Sequence, residues 1–180
     1  MSERDASYAE LEAALPELER SPRERGTVVL IVRRPSRGKR EVLDLGLLDV
    51  EEGLIGDRWA LGKRHRAQQL TIINARLVEL LAPSRDRWPL AGDQLYVDFD
   101  LSLEHLPPGT RLAIGAAQIE VSPEPHTGCR LFAERYGRDA QRFVGSERGH
   151  ALQLRGINAW VIESGEVRVG DEVRALFDSV

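Results

Sequence analysis

Cysteine is almost missing from this chain: one thiol, Cys129, stands among 180 residues. A single cysteine makes no internal disulfide, and no CxxC pair is present for redox or zinc chemistry. Long apolar runs are missing too, and none approaches the roughly 18 residues that mark a membrane-spanning helix. The opening "MSERDASYAELEAALPELER" is highly charged and carries no signal-peptide core. An excess of positive charge is absent as well. The net charge is −4, which argues against a dedicated nucleic-acid binder. His65, His105, His126 and His150 show no HxxxH or HExxH spacing, so a zinc site has little support. A Walker-type phosphate loop and a GxSxG nucleophile elbow are both absent. These absences lead us to expect a soluble, cytoplasmic protein in a reducing compartment, with neither membrane nor nucleic acid as a partner.

What is present describes a globular protein. The chain is 42% hydrophobic and 30% charged, which suits a folded domain rather than a disordered one. A domain of this length buries about 70% of its unfolded surface and needs no metal or disulfide to hold it. Tyr8, Leu11, Ala14, Leu15 and Leu18 recur at helical spacing, with Ser7 and Glu10 placed to form a capping box. The pattern predicts one helix over 8–19, ending before "SPRERG". Residues 1–25 therefore read as an N-terminal helical arm, appended to a domain over 26–180.

From Gly26 the chain turns strand-rich. "TVVLIVRR" and "EVLDLGLLDV" read as a hairpin whose basic tip, "RRPSRGKR", is a soluble end. "QQLTII" is a further strand, running into a short helix capped by Asn74. "DQLYVDF", "TRLAIGAAQIEVS" and "INAWVIESGEVRVGDEVRAL" follow, the last with Gly165 marking a hairpin turn. "RLFAERY" and "DAQRFVG" are short helical candidates. Many short strands, few helices and glycine-marked turns predict a mainly β (α+β) fold, curled or closed into a barrel. There is no internal repeat.

Three segments carry candidate chemistry. Cys129 follows Pro123, Pro125 and Gly128, on a constrained loop rather than on a periodic apolar face. It lies at or just before a helix start, where amide dipoles favour a thiolate, with Arg130 and His126 close in sequence. The competing reading is a small buried hydrophobe without chemistry. The second segment, "GLIGDRWALGKRHR", brings Arg58, Lys63, Arg64, His65 and Arg66 together with glycines. It reads either as a cradle for an anionic group or as a solvated loop. The third, "QLRGINAW", sets Arg155 and Asn158 around Gly156, where they either point into a pocket or simply enter a turn.

Taken in order, "GLIGDRW", "QQLTIINARLVELL", "AGDQLYVDFDLS", "LPPGTRLAIGAAQIEV", "PHTGCRLFAERYG" and "LRGINAWVIESGEVRVGDEV" resemble the MOSC domain family, named for the C-terminal domain of molybdenum cofactor sulfurases. The resemblance runs from about Gly26 to Val173 and is to the small stand-alone bacterial members. It implies a β-barrel like the inserted barrel of pyruvate kinase. It also implies a molybdenum cofactor (molybdopterin), with Cys129 as catalytic residue and metal ligand. Arg58, Arg64, His126, Thr127, Arg155 and Asn158 are then the expected cofactor-binding residues. Pyridoxal phosphate binding is implied only for the family at large. Two activities follow from the resemblance. One is reduction of a small N-hydroxylated substrate with electrons from an external electron-transfer protein. The other is a carrier of molybdopterin or of a Cys129 persulfide. Two departures accompany it: the N-terminal barrel half of larger relatives is missing, and "GKRHRAQQ" stands where other members carry a His-Gly-Gly pattern.

Overall fold

The computed structural model describes residues 4–177. Its first helical segment is two pieces, α1 (Tyr8–Ala13) and α2 (Leu15–Glu19), rather than one continuous helix. Pro16 falls in the first turn of α2, where its missing N–H costs nothing, and the chain bends at Ala14. Ser7 and Glu10 do make the capping box. Strand β1 (Gly26–Arg33) pairs with β2 (Glu41–Leu43) as a hairpin, Ile31 facing Leu43 and Arg33 facing Glu41. The run after it does not continue as one strand. It breaks at Asp44, and β3 (Leu45–Asp49) leaves to pair with β4 (Gly53–Leu54).

Strand β5 (Leu70–Asn74) leads through α3 (Ala75–Leu81) and a 3₁₀ segment, Arg85–Ala91, to β6 (Leu95–Asp98). Asn74 caps α3 by accepting from the Arg76 amide at 2.9 Å. The remaining strands are β7 (Arg111–Ile114), β8 (Ala117–Pro125), β9 (Ile157–Glu163), β10 (Gly165–Arg168) and β11 (Glu172–Leu176). Between β8 and β9 lie α4 (Arg130–Val144) and α5 (Glu147–Ala151). Gly137 breaks α4 with φ near 90°, so "RLFAERY" and "DAQRFVG" are two helical pieces about one kink.

Seven strands close into a barrel in the order β1, β11, β7, β8, β9, β5, β6, with β6 returning to β1. β5 and β6 run parallel and the other neighbours antiparallel. Parallel neighbours need a crossover, which the α3 segment supplies. The expected β9–β10 hairpin does not form. β10 instead pairs with β3 in a small second sheet, Val167 opposite Gly46, and so folds away from β9.

Two cores result from the period-two alternation of strand side chains. Ile72, Leu95 and Val97 point into the barrel with Phe99, Ile119 and Val161. Their neighbours Ile73 and Tyr96 point outward, under Leu77, Trp88, Phe132 and Phe143. Leu11 and Leu18 of the first two helices are buried in this outer core, and Tyr8 meets Phe143 edge-on at 6.0 Å. Residues 8–19 are thus docked on the barrel through α4. Among the described residues no helix is long and apolar enough to cross a membrane.

Candidate functional site

A cleft of about 610 Å³ opens beside the barrel end where β5 and β9 run side by side. Thr71 and Asn158 face each other across those two strands and line it. Thr71 is held by Gln94, whose side-chain carbonyl accepts from both its amide and its hydroxyl at 2.8 Å. Asn158 donates to the Glu124 carbonyl at 3.1 Å, tying β9 to the end of β8, just before the cysteine loop.

One wall is the basic segment. Its foundation is Asp57, a fully buried carboxylate that receives a two-pronged bond from Arg34, both contacts at 2.9 Å. Asp57 also accepts from the Trp59 amide at 3.0 Å, which caps the 3₁₀ turn Arg58–Leu61. Burial alone would push its pKa up. The Arg34 fork and the two backbone donors outweigh burial and hold it low. Beyond the turn, the Trp59 indole donates to the His65 carbonyl at 3.2 Å, and Arg64 reaches back to the Ala60 carbonyl at 2.8 Å. Arg66 lies over the Trp160 ring at 5.6 Å. The segment is therefore a cross-braced loop. Among the described residues its cations have no acidic partner beyond the distant His65–Glu124 contact at 3.7 Å, and Arg58, Lys63 and Arg64 line the cleft without an ion pair.

The facing wall is Pro125, His126 and Thr127, at the end of β8. His126 is mostly buried, with Nδ1 directed at Asp93 at 3.5 Å. Burial is the main reason its pKa falls to about 4; Asp93 opposes this, while Arg155 and Arg34 add to it. The imidazole is accordingly neutral near pH 7. Behind it the fully buried Asp93 is bonded to Arg155 at 2.8 Å, and Arg155 also donates to the Ala91 carbonyl at 3.1 Å.

The structure brings Arg58, Arg64, His126, Thr127 and Asn158 into one cleft. It keeps Arg155 out of it. That side chain is buried, stacked at 4.9 Å on Phe132, and borders a separate cavity of about 220 Å³ on the other side of His126. Cys129 is exposed and is the residue from which α4 starts, two positions beyond Thr127. It does not line the cleft, whose lining on this loop ends at Thr127. Sequence reasoning passed over Arg34, Asp57's anchoring role and Asp93. "GDRW" and "GDQL", each a glycine–aspartate entering an ordered element, were the available signal.

Among the described residues no group of three or more His, Cys, Asp and Glu is gathered for a metal. A molybdenum–pterin group asks for something else: one thiolate from the protein and an electropositive cleft for its phosphate. The exposed thiol and the unpaired cations of the cleft fit those two demands.

Three solved structures share the architecture. The YuaD protein from Bacillus subtilis superposes with a TM-score of 0.62 at 18% identity, covering 84% of this chain and 96% of that one. YiiM from Escherichia coli gives 0.57 at 19% identity, over 85% of this chain and 71% of that one. YiiM from Geobacillus stearothermophilus gives 0.58 at 12% identity, over 86% and 77%. At such identities the likeness is one of fold. No curated protein sequence matches the chain. The family model for the MOSC domain matches residues 67–174, starting just past the basic wall of the cleft and running through β5 and the cysteine loop into the closing strand β11. That stretch is more than half the chain and contains most of the barrel, so the chain belongs to the MOSC domain family.

Proposed function

We propose that this MOSC protein holds a molybdenum–pterin cofactor in the cleft and reduces small N-hydroxylated compounds, with Cys129 as the protein's metal ligand. The observation that carries the reading is the unpaired charge of Arg58, Lys63 and Arg64 along a cleft that ends beside the thiol loop. In a chain of net charge −4, cations left without acidic partners are suited to an anionic ligand. Arg58 and Arg64 would bind the phosphate, while Thr127 and Asn158 offer neutral hydrogen-bonding groups to the remainder. His126, neutral and fixed, leaves the cation count of the wall unchanged near pH 7. When bound, the cofactor supplies a two-electron redox couple suited to removing oxygen from an N-hydroxyl group. The electrons come from a separate electron-transfer protein, since the sequence has no iron–sulfur or flavin motif. A lone unpaired cysteine suits a cytoplasmic setting.

The exposure of Cys129 favours a second reading, a carrier that delivers molybdopterin or persulfide sulfur. An exposed thiol is open to a partner protein as well as to a metal. Protein purified from a host that makes the cofactor separates the two readings. For the oxidoreductase we expect molybdenum and pterin fluorescence in the wild type, with molybdenum lost from Cys129→Ser at an unchanged Tm. Arg58→Ala and Arg64→Ala should each lower pterin retention. Sulfane sulfur on Cys129 without molybdenum would assign the carrier role. Equal molybdenum in wild type and Cys129→Ser would remove sulfur ligation from the mechanism.

A further inference from the structure

The tip of the β1–β2 hairpin reads as a soluble end, yet Arg40 folds back from it toward the barrel. Its Nε is buried and has no hydrogen-bond partner, and among the described residues its side chain has no ion pair. Apart from the Tyr96 hydroxyl, the ionisable groups that bear on it are also cations. Arg135, Arg58 and Arg34 all bear on it electrostatically. Arg34 is committed to Asp57 and to the Gly92 carbonyl, at 3.0 Å. Arg135 donates to the Leu90 carbonyl at 2.7 Å and, among the described residues, has no carboxylate partner. Arg58 has none either.

Arg34, Arg40 and Arg135 converge on Gly92, the residue before the Asp93–Arg155 pair. A β-carbon placed on Gly92 would lie 3.5 Å from Arg135 Nη1 and 3.9 Å from Arg40 Nη2. Two guanidinium nitrogens therefore face one small space. Their separation is within the ~8 Å that one tetrahedral oxyanion spans through two hydrogen bonds of ordinary length. Uncompensated guanidinium groups held together repel one another, and an oxyanion between them reverses the sign of that interaction.

We propose that Arg40 and Arg135 form an oxyanion site at Gly92 that takes the phosphate group of a ligand. The site draws on the hairpin tip and α4, elements distinct from the Arg58–Arg66 wall, and it does not depend on molybdopterin being bound. The same chemistry has two sources: the phosphate of a cofactor lying in the cleft, or a phosphate carried by a substrate. The test titrates inorganic phosphate into the full chain at constant ionic strength, followed by calorimetry, using protein from a host unable to make the pterin. Saturable binding is expected. It should weaken about tenfold in Arg40→Gln and in Arg135→Gln, partly recover in Arg40→Lys, and be unchanged in Lys39→Gln on the same hairpin. Circular dichroism of each variant guards against misfolding. Absence of saturable binding in the wild type, or wild-type affinity in both Arg40→Gln and Arg135→Gln, overturns the site. Protein carrying the pterin distinguishes the sources. Loss of free-phosphate binding there assigns the site to the cofactor's phosphate, and retention assigns it to a substrate.

Discussion

At the scale of single residues, His126 connects the site to stability. Its folded pKa of about 4 lies below the ordinary value of 6.5, so the unfolded chain binds more protons between those limits. Stability from this residue is fully present above about pH 6.5 and is lost as the pH falls through 4. We expect the wild type to lose up to roughly 3 kcal/mol relative to His126→Gln between neutral pH and pH 4. Urea denaturation at several pH values measures this, and parallel profiles for the two proteins would contradict it. Residues flagged by local chemistry were legible in advance. Arg58, Arg64, His126 and Thr127 sit on two short segments marked by glycine, proline and charge. Asp93 and Arg40 were not. A buried carboxylate and a folded-back arginine look ordinary until the residues that surround them are known, and those come from distant parts of the chain.

Among the elements, the first two helices show what periodicity can and cannot tell. The apolar spacing of Tyr8, Leu11, Leu15 and Leu18 marks a face, but a face does not name its partner. Here the partner is the outer core, where Leu11 is 1% exposed and the Tyr8 amide donates to Asp139 on α4 at 3.0 Å. Leu11→Ala should cost about 3 kcal/mol, as buried leucine truncations do, lowering Tm and exposing the 8–19 segment to protease first. A Tm within a degree of wild type would mean that the docking contributes nothing. The strand after Gly165 illustrates the same limit. Alternation reads identically whether β10 folds back on β9 or leaves for β3. Crowding decides against a side chain at Gly165, since a β-carbon there would meet the Ala116 backbone at 2.4 Å. Strand identity was thus legible, and strand partnership was not.

The whole molecule depends on one seam. β1 and β11 meet through Gly26 opposite Val173 and Thr27 opposite Glu172, which closes the ring. Gly26 is packed tightly there: a β-carbon would lie 2.4 Å from the Asp98 carbonyl oxygen and 2.6 Å from the Phe99 ring. Gly26→Val should therefore destabilise the protein by about 3 kcal/mol or more. Hydrogen exchange would show the loss first in the amides of β11, whereas unchanged protection would mean that the seam can spread without penalty. A β-rich, barrel-like fold was legible from the count and spacing of strands. Its closure was not, because closure depends on contacts between residues nearly 150 positions apart in sequence. That separation has a consequence for how the chain is made. During synthesis β1 leaves the ribosome early, acquires β2 at once and gains β6 on its opposite edge when Leu95–Asp98 emerge, yet its first residues, Gly26 and Thr27, wait for β11, after nearly every other residue of the barrel. Until Glu172–Leu176 emerge, the nascent chain carries an unpaired sheet edge, the feature by which strands of different chains find one another.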